Sequence, residues 1–444
     1  MRKPRLVIVS LVAACLTGLP VAYAIGARSA GAPSPNDLAL LDGVIQLVGR
    51  AYVRPVDSHT LTKDALKGML TRLDPHSDYM DQQEFKESEA DLAGKFGGLG
   101  IEISEDQGVP KVISPIDGTP AARAGLQPGD LIVQIEGQST QGMDLSQVVR
   151  QLRGQPGTSV KITIARGNQT PFDVSITRSI IEVQTVKAEL KPNGIGYVRI
   201  SQFGGDTAKN FRDELQKMKT DAGGQLKGLV LDLRSDPGGL LAAAVAVASD
   251  FLDGGTVVTI KGRRTDDNHA YQVAGSGDVL KNTPVVVLIN GASASASEIV
   301  AGALQDRHRA TIMGTQSFGK GSVQTIIPLN GYGALRLTTA LYYTPAGRSI
   351  QGQGIAPDVV VEAPKEQQVE GALMPSESTL QGAFGNPGPL RKGGEQDKSK
   401  NAAAAAKKTY SPPIKTQLIG TPEDAQLKAA LDYVGHAAGM TGRG

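Results

Sequence analysis

Two short stretches put an alcohol and an amine where they can meet. NGASASASEIVAGALQD (290–306) carries Ser295 out of an apolar strand and into a helix, and SFGKGSVQ (317–324) brings back a lone lysine, Lys320, 25 positions later. A serine hydroxyl becomes a nucleophile when a neighbouring base takes its proton, and a desolvated lysine can be that base. With an ordinary pKa of ~10.4, only about 0.1% of lysine is neutral near pH 7.4. The site must therefore lower that pKa by roughly three units, at a cost on the order of 4 kcal/mol. Gln324, four residues further on, is placed to orient the amine. Each residue also has a plainer reading. Ser295-x-x-Glu298 is a capping box, Lys320 a surface charge and Gln324 a strand surface residue. Ser293 and Ser297 are weaker nucleophiles, because helix phase turns them elsewhere.

The turn Asp236-Pro237-Gly238-Gly239 allows close backbone approach and positive φ. The N–H of Gly238 or Gly239, together with that of Ala296, would make the two halves of an oxyanion hole. The alternative is a tight strand-to-helix turn.

These residues need a parallel sheet to hold them. Strand-like runs at 195–200, 229–233, 284–289 and 310–314 alternate with helical runs at 206–219, 240–252 and 295–305. Alternation of this kind predicts strand–helix–strand crossovers and a mostly parallel α/β sheet over 195–361. Ligands bind beyond the carboxyl ends of such strands, so the loops at 236–239, 291–295 and 317–321 should share one edge. Runs at 256–260 and 270–273 flank a polar turn.

Upstream, residues 35–94 have helical periodicity, broken at LDPHSDYM (73–80) by Asp74-Pro75. His76 and Asp78 in that segment are read as a turn pair. A small β-rich module follows over 95–180, with strand-like runs at 100–104, 110–113, 130–135, 159–165 and 172–176 and a helix at 144–152. Its Gly97-Gly98-Leu99-Gly100-Ile101 can offer backbone N–H groups to a carboxylate while the next strand edge pairs with a peptide. The following PIDGTPAARAGLQPGDLIVQIEG (115–137) strengthens this reading. Residues 363–420 form a low-complexity linker, and 421–438 a final amphipathic helix capped at Thr421-Pro422-Glu423-Asp424.

The 444 residues suit two or three domains, and the N-terminal segment has the pattern of an export signal. Arg2, Lys3 and Arg5 precede an apolar run ending in Ala22-Tyr23-Ala24, an export signal over 1–24 with an uncleaved anchor as the alternative. Its removal takes three positive charges and turns the net charge of +2 into −1. No nucleic-acid partner is implied, and the absence of Trp agrees. Cys15 is the single cysteine, inside the signal, where Val12-Ala13-Ala14-Cys15 is a lipidation alternative. Cleavage after Ala24 leaves no disulfide, thiol nucleophile or cysteine-ligated zinc, and the five histidines have no metal-ligand spacing. No metal or cofactor is expected.

Taken together, residues 36–361 resemble the C-terminal processing (tail-specific) serine proteases of bacterial envelopes and chloroplast lumens. The motifs that carry the resemblance are LDPHSDYM, the β-rich module, DPGG, NGASASASEIVAGALQD, SFGKGSVQ and GRSIQGQGIAPD (347–358). It implies a multidomain α/β chain: a crotonase-like (ClpP/crotonase) α/β protease core over 181–362, an inserted PDZ domain over 95–180 and an N-terminal helical region. It also implies Ser295 as nucleophile, Lys320 as general base, Gln324 as its orienting residue, and Gly238 or Gly239 with Ala296 as oxyanion donors. Leu99, Gly100 and Ile101 would recognise a substrate's C-terminal carboxylate. The long Ala/Lys/Pro-rich tail departs from the family pattern.

The expectation is an exported periplasmic or envelope serine endopeptidase, independent of ATP, acting on proteins with accessible C-termini. An adaptor lipoprotein and a homo-oligomer remain open as partners. Two rivals come from other classes: a catalytically silent scaffold that binds C-termini, and an acyl-CoA enzyme sharing the crotonase core.

Overall fold

The computed structural model describes residues 32–106, 108–116, 118–275, 277–369, 376–390 and 412–439; residues 1–24, expected to be an export signal, and Cys15 lie outside these. The chain divides into two units, Met1–Ala65 and Leu66–Gly444. Helix α1 (Pro35–Ala51) belongs to the first, opened by a capping box between Ser34 and Asp37 with proline in its first turn. Helix α2 (Ser58–Thr71) runs across the division.

In the second unit, β1 (Asp78–Met80) and α3 (Gln82–Ala93) lead to β2 (Lys95–Gly98). The β-rich module then contains β3 (Ile101–Asp106), β4 (Val109–Pro115), α4 (Pro120–Arg123), β5 (Leu131–Ile135), β6 (Gln138–Ser139), α5 (Leu145–Leu152), β7 (Ser159–Ala165) and β8 (Phe172–Thr177). Its sheet runs β3-β4-β5-β7-β8, so β3 is an edge strand. At its base β2 pairs with β9 (Ser179–Glu182) in a two-stranded ribbon.

The core follows with β10 (Val186–Lys191), β11 (Ile195–Ile200), α6 (Thr207–Asp221), β12 (Gly228–Asp232), α7 (Leu241–Ser249), β13 (Thr256–Gly262) and β14 (His269–Gln272). It continues through β15 (Val285–Ile289), α8 (Ala296–Asp306), β16 (Thr311–Gly314), β17 (Ser322–Leu329), β18 (Gly333–Tyr343) and β19 (Val359–Val360), and α9 (Ala425–Ala437) closes it. The main sheet runs β10-β11-β12-β15-β16-β19 and is parallel except for the edge strand β10. All five residues of β15 are buried, because both faces of this sheet are covered. Val285, Val287 and Ile289 join the cluster under α6, α7 and α8, while Val286 and Leu288 join Leu427, Ala430 and Val434 of α9 on the other face.

Strands β13, β14 and β17 join β1 and β18 in a separate antiparallel sheet, with β13 and β14 flanking the polar turn. Two expectations need correction. The final helix starts at Ala425, with Asp424 rather than Thr421 as its cap. The low-complexity segment is only partly a linker. Residues 376–390 dock on the core, where Asn386 donates to Gln351 O (2.6 Å) and Leu390 N–H donates to Gly347 O (2.9 Å).

Candidate active site

Strands β12, β15 and β16 are parallel neighbours, so the loops after them open on one edge. Hydrogen bonds sew those loops together. Ser293 Oγ donates to Leu233 O (2.8 Å), Ala294 N–H to Asp236 O (2.9 Å), Ser297 Oγ to Asp236 O (3.1 Å) and Phe318 N–H to Ser293 O (3.0 Å). Ser293 and Ser297 are fully buried and committed to carbonyls. Ser295 is the serine of this loop left at the surface of the cleft.

Ser295 has φ 55° and ψ −109°, a conformation costly for a residue with a Cβ, on the order of 1–3 kcal/mol. Such strain at a strand-to-helix turn is how hydrolases push a nucleophile out of the backbone. The capping box with Glu298 is also present, so the plainer reading is true as far as it goes. Glu298, however, accepts far more than one cap bond. Its Oε2 takes the Ser295 N–H (2.8 Å) and the Lys320 N–H (2.9 Å), and its Oε1 takes Ser317 Oγ (2.6 Å) and the Gly319 N–H (2.7 Å). Complete burial pushes its pKa up to about 7, against the pull of these donors.

The Lys320 side chain is mostly withdrawn from solvent and, among the described residues, carries no hydrogen bond or ion pair. Burial draws its pKa below the ordinary lysine value. The Glu377 carboxylate pushes it back up, the Arg336 guanidinium pulls it down, and Glu298 and Asp74 push it up. Gln324 does not orient the amine in this structure. Its Nε2 donates to Ser322 Oγ (2.9 Å) and Thr338 Oγ1 (3.3 Å), because β17 and β18 pair at this point.

The two glycines of the DPGG turn separate. Gly238 N–H donates to Asp236 Oδ1 (2.8 Å), so it is not a free oxyanion donor. The N–H groups of Gly239 and Ala296 donate to no protein group among the described residues. Gly238 still matters sterically. At φ +99°, a Cβ there would meet Ala294 O (2.7 Å), Ala296 N (2.9 Å) and Ser295 Cβ (2.9 Å). Asp236 itself is fully buried with Oδ2 unpartnered, and burial pushes its pKa up to about 8.

Sequence reasoning missed a polar ring around Lys320. Asp74 Oδ1 accepts from Thr338 Oγ1 (3.0 Å) and from the His76 N–H (2.8 Å). His76 Nε2 meets Glu377 Oε2 (2.8 Å), and Gln351 Nε2 donates to Glu377 Oε1 (2.8 Å). LDPHSDYM was a visible signal for Asp74 and His76, although His76 pairs with Glu377 rather than with Asp78. Glu377 had no signal in its own surroundings.

In the β-rich module, Leu99 is buried and Gly100 sits at φ +76° with Thr119 packed against it. The N–H groups of Leu99 and Gly100 donate to no protein group among the described residues. They precede the edge strand β3, which begins at Ile101. Ile101 and Ile103 pack on the same apolar cluster as Val148 and Leu152 of α5. A peptide can therefore add to β3 with its terminal carboxylate at the Leu99–Gly100 amides.

Among the described residues there is no group of side chains able to hold a metal ion. No helix among them is long and apolar enough to cross a membrane.

Comparison with known proteins gives the family of the chain. Residues 194–361 match the model of peptidase family S41, residues 111–166 that of a PDZ domain, and residues 25–84 that of the activating protease CtpB N-terminal domain. A carboxy-terminal-processing protease of Bartonella bacilliformis is 48% identical over 380 residues, 84% of each chain. A CtpA-like serine protease of Staphylococcus aureus is 36% identical over 349 residues, 78% of this chain and 68% of the other. Among solved structures, a photosystem II D1 C-terminal processing protease is 30% identical over 73% of this chain and 92% of its own, with a TM-score of 0.44.

Proposed function

The chain belongs to peptidase family S41 as a C-terminal processing serine protease with a PDZ domain, and from that premise we propose that it is an exported endopeptidase that docks a substrate's C-terminus and cuts nearby with a Ser295–Lys320 dyad. The substrate tail adds to β3 and presents its carboxylate to the amides of Leu99 and Gly100, with Ile101 beginning the pairing strand. A peptide bond upstream then enters the cleft at the Ser295 loop.

Chemistry begins when a neutral Lys320 takes the Ser295 proton as Oγ attacks the peptide carbonyl carbon. Negative charge on the carbonyl oxygen is met by the N–H of Ala296, at the start of α8 where the helix dipole assists, and by the N–H of Gly239. The Lys320 ammonium returns its proton to the departing amine, leaving an acyl ester on Ser295. Water, deprotonated by the same lysine, hydrolyses that ester. Lys320 must turn toward Ser295 for these steps, and Gln324 can contribute its carbonyl oxygen once the amine swings past it. The crotonase-like description of the core and export through residues 1–24 belong to the same proposal, as do envelope proteins as substrates.

The observation that carries this reading is the pairing of two loops on one carboxylate, which fixes the backbones of a strained serine and a desolvated lysine side by side. Ser295→Ala and Lys320→Ala, each purified and folded, should abolish cleavage of an unfolded substrate with a free C-terminus. Full activity in either variant overturns the assignment. N-terminal sequencing of the protein recovered from the envelope fraction should begin after Ala24.

A further inference from the structure

Residues 376–390 follow the family-matched core, yet they return to the catalytic edge. Glu377 is wholly buried there and fixed on both sides of Lys320. Its backbone N–H donates to Phe318 O (3.1 Å), two residues before the lysine. On the other side, Gln351 receives the Gly321 N–H on Oε1 (3.0 Å) and donates from Nε2 to Glu377 Oε1 (2.8 Å). His76 takes the second carboxylate oxygen at 2.8 Å. Both oxygens of a buried acid are thus held by neutral or titratable donors, and no arginine or lysine among the described residues pairs with it directly. A buried carboxylate in that state is expensive without a nearby cation.

We propose that Glu377 is a positioning residue for Lys320, a buried counter-charge that steadies the ammonium formed when the lysine takes the Ser295 proton. The tail segment 376–390 thereby completes the active site. The inference rests on Lys320 acting as the base. Four charged groups act on the amine: Glu377 most strongly, then Arg336 in the opposite sense, then Glu298 and Asp74. Of these, Arg336 and Glu298 belong to the family-matched core, Asp74 precedes it and Glu377 follows it. His76 lies against Glu377, with Nε2 2.8 Å from its Oε2. Glu298 is already saturated by four donors and Asp74 by Ser77, His76 and Thr338, whereas Glu377 has His76 and Gln351 as its side-chain partners.

The test is the pH profile of kcat/KM, read with a direct titration of the lysine. Glu377→Gln keeps the shape and an acceptor for Gln351 while removing the charge. Its acidic limb should move to lower pH by about one unit or more, with a lower plateau, because the amine becomes less basic. Glu377→Asp retains the charge and should keep the limb near its wild-type position even if the rate falls. If the Gln variant loses its cooperative melting transition, Glu377→Ser makes the same prediction. Competitive labelling of Lys320 with an amine reagent across pH, in the Ser295→Ala background, should show the same downward shift without any need for activity. A uniform loss of rate with an unmoved limb, or an unmoved labelling midpoint, overturns the proposal. Activity surviving in Lys320→Ala would instead overturn the dyad, while the labelling still reports whether Glu377 acts on the amine.

Discussion

Ser295 and Lys320 hang their backbone N–H groups on the same atom, Oε2 of Glu298, at 2.8 and 2.9 Å. The proposed nucleophile and base are thus registered through the backbone, which leaves their side chains outside this contact. Glu298 achieves this from the third residue of the helix that Ser295 begins, so one helical turn sets the geometry of two loops.

Glu298→Gln should therefore damage catalysis out of proportion to its size. The amide offers one acceptor oxygen where two are used, and its NH₂ group must face N–H or O–H donors on one side. Unsatisfied buried donors cost about 1–3 kcal/mol each, so stability should fall by roughly 2–4 kcal/mol. Activity should fall on the order of a hundredfold, because the reacting groups lose their register. Urea unfolding and single-turnover cleavage of the same preparation check both numbers.

Asp236 gives a prediction with a sign. Its carboxyl is raised from 3.8 to about 8 by burial, with Oδ2 lacking any partner. Between those values the folded state holds a proton that the unfolded state releases. The contribution to stability is complete below about pH 4 and is lost as pH climbs towards 8, at up to about 1.4 kcal/mol per unit. Asp236→Asn removes the charge and preserves the oxygen that accepts the Gly238 N–H. The variant should show a flatter stability profile and be more stable than the parent at pH 8. Parallel unfolding curves at pH 5, 6.5 and 8 would contradict the buried-acid account.

Binding and chemistry should separate at Gly100. A methyl there runs into Thr119, whose Oγ1 donates to Gly100 O at 3.0 Å, and the residue sits at φ +76°. Gly100→Ala should distort the amides proposed to receive a terminal carboxylate, raising KM about tenfold for substrates with a free C-terminus, a change near 1.4 kcal/mol. The kcat should change little, and a C-terminally amidated substrate should show a high KM in the parent and no further rise in the variant.

How much of this was legible beforehand depends on sequence separation. Strands such as VVVLI at β15 announce themselves, because a strand covered on both faces is a continuous apolar run. Ser295, Lys320 and DPGG were visible for a related reason: each follows such a strand directly. Gln324 lies close to the lysine in sequence, yet its Nε2 meets Ser322 and also Thr338, 14 residues away on β18, a strand whose GALRLTTALYY lacks clean alternation. Gly238 and Gly239 could not be told apart, since only the fold shows Asp236 turning back on its own loop. Glu377 was the least readable, because its histidine partner is 301 residues away and its neighbours have the composition of a linker.

The same distance effect makes the final helix look dispensable, and the structure says otherwise. Arg234, at the end of β12 beside the DPGG turn, is fully buried. Its guanidinium donates to both oxygens of Asp232 (2.9 and 2.6 Å), both of Asp424 (3.0 and 2.6 Å) and Gln426 Oε1 (3.0 Å). Asp424 also caps α9 through the Leu427 N–H (3.0 Å), so one carboxylate both starts the helix and neutralises the arginine. Asp424→Ala should leave that buried charge half-paired and cost about 3–5 kcal/mol. The loss should appear as a lower urea midpoint, while kcat at low temperature stays within a few-fold of the parent, since α9 packs on the sheet face opposite α8. Removal of residues 412–444 should go further, uncovering Val230, Val286, Leu288 and Met313 and yielding insoluble protein. A soluble, active truncation would show that the helix is an accessory and that Arg234 finds its second counter-charge elsewhere.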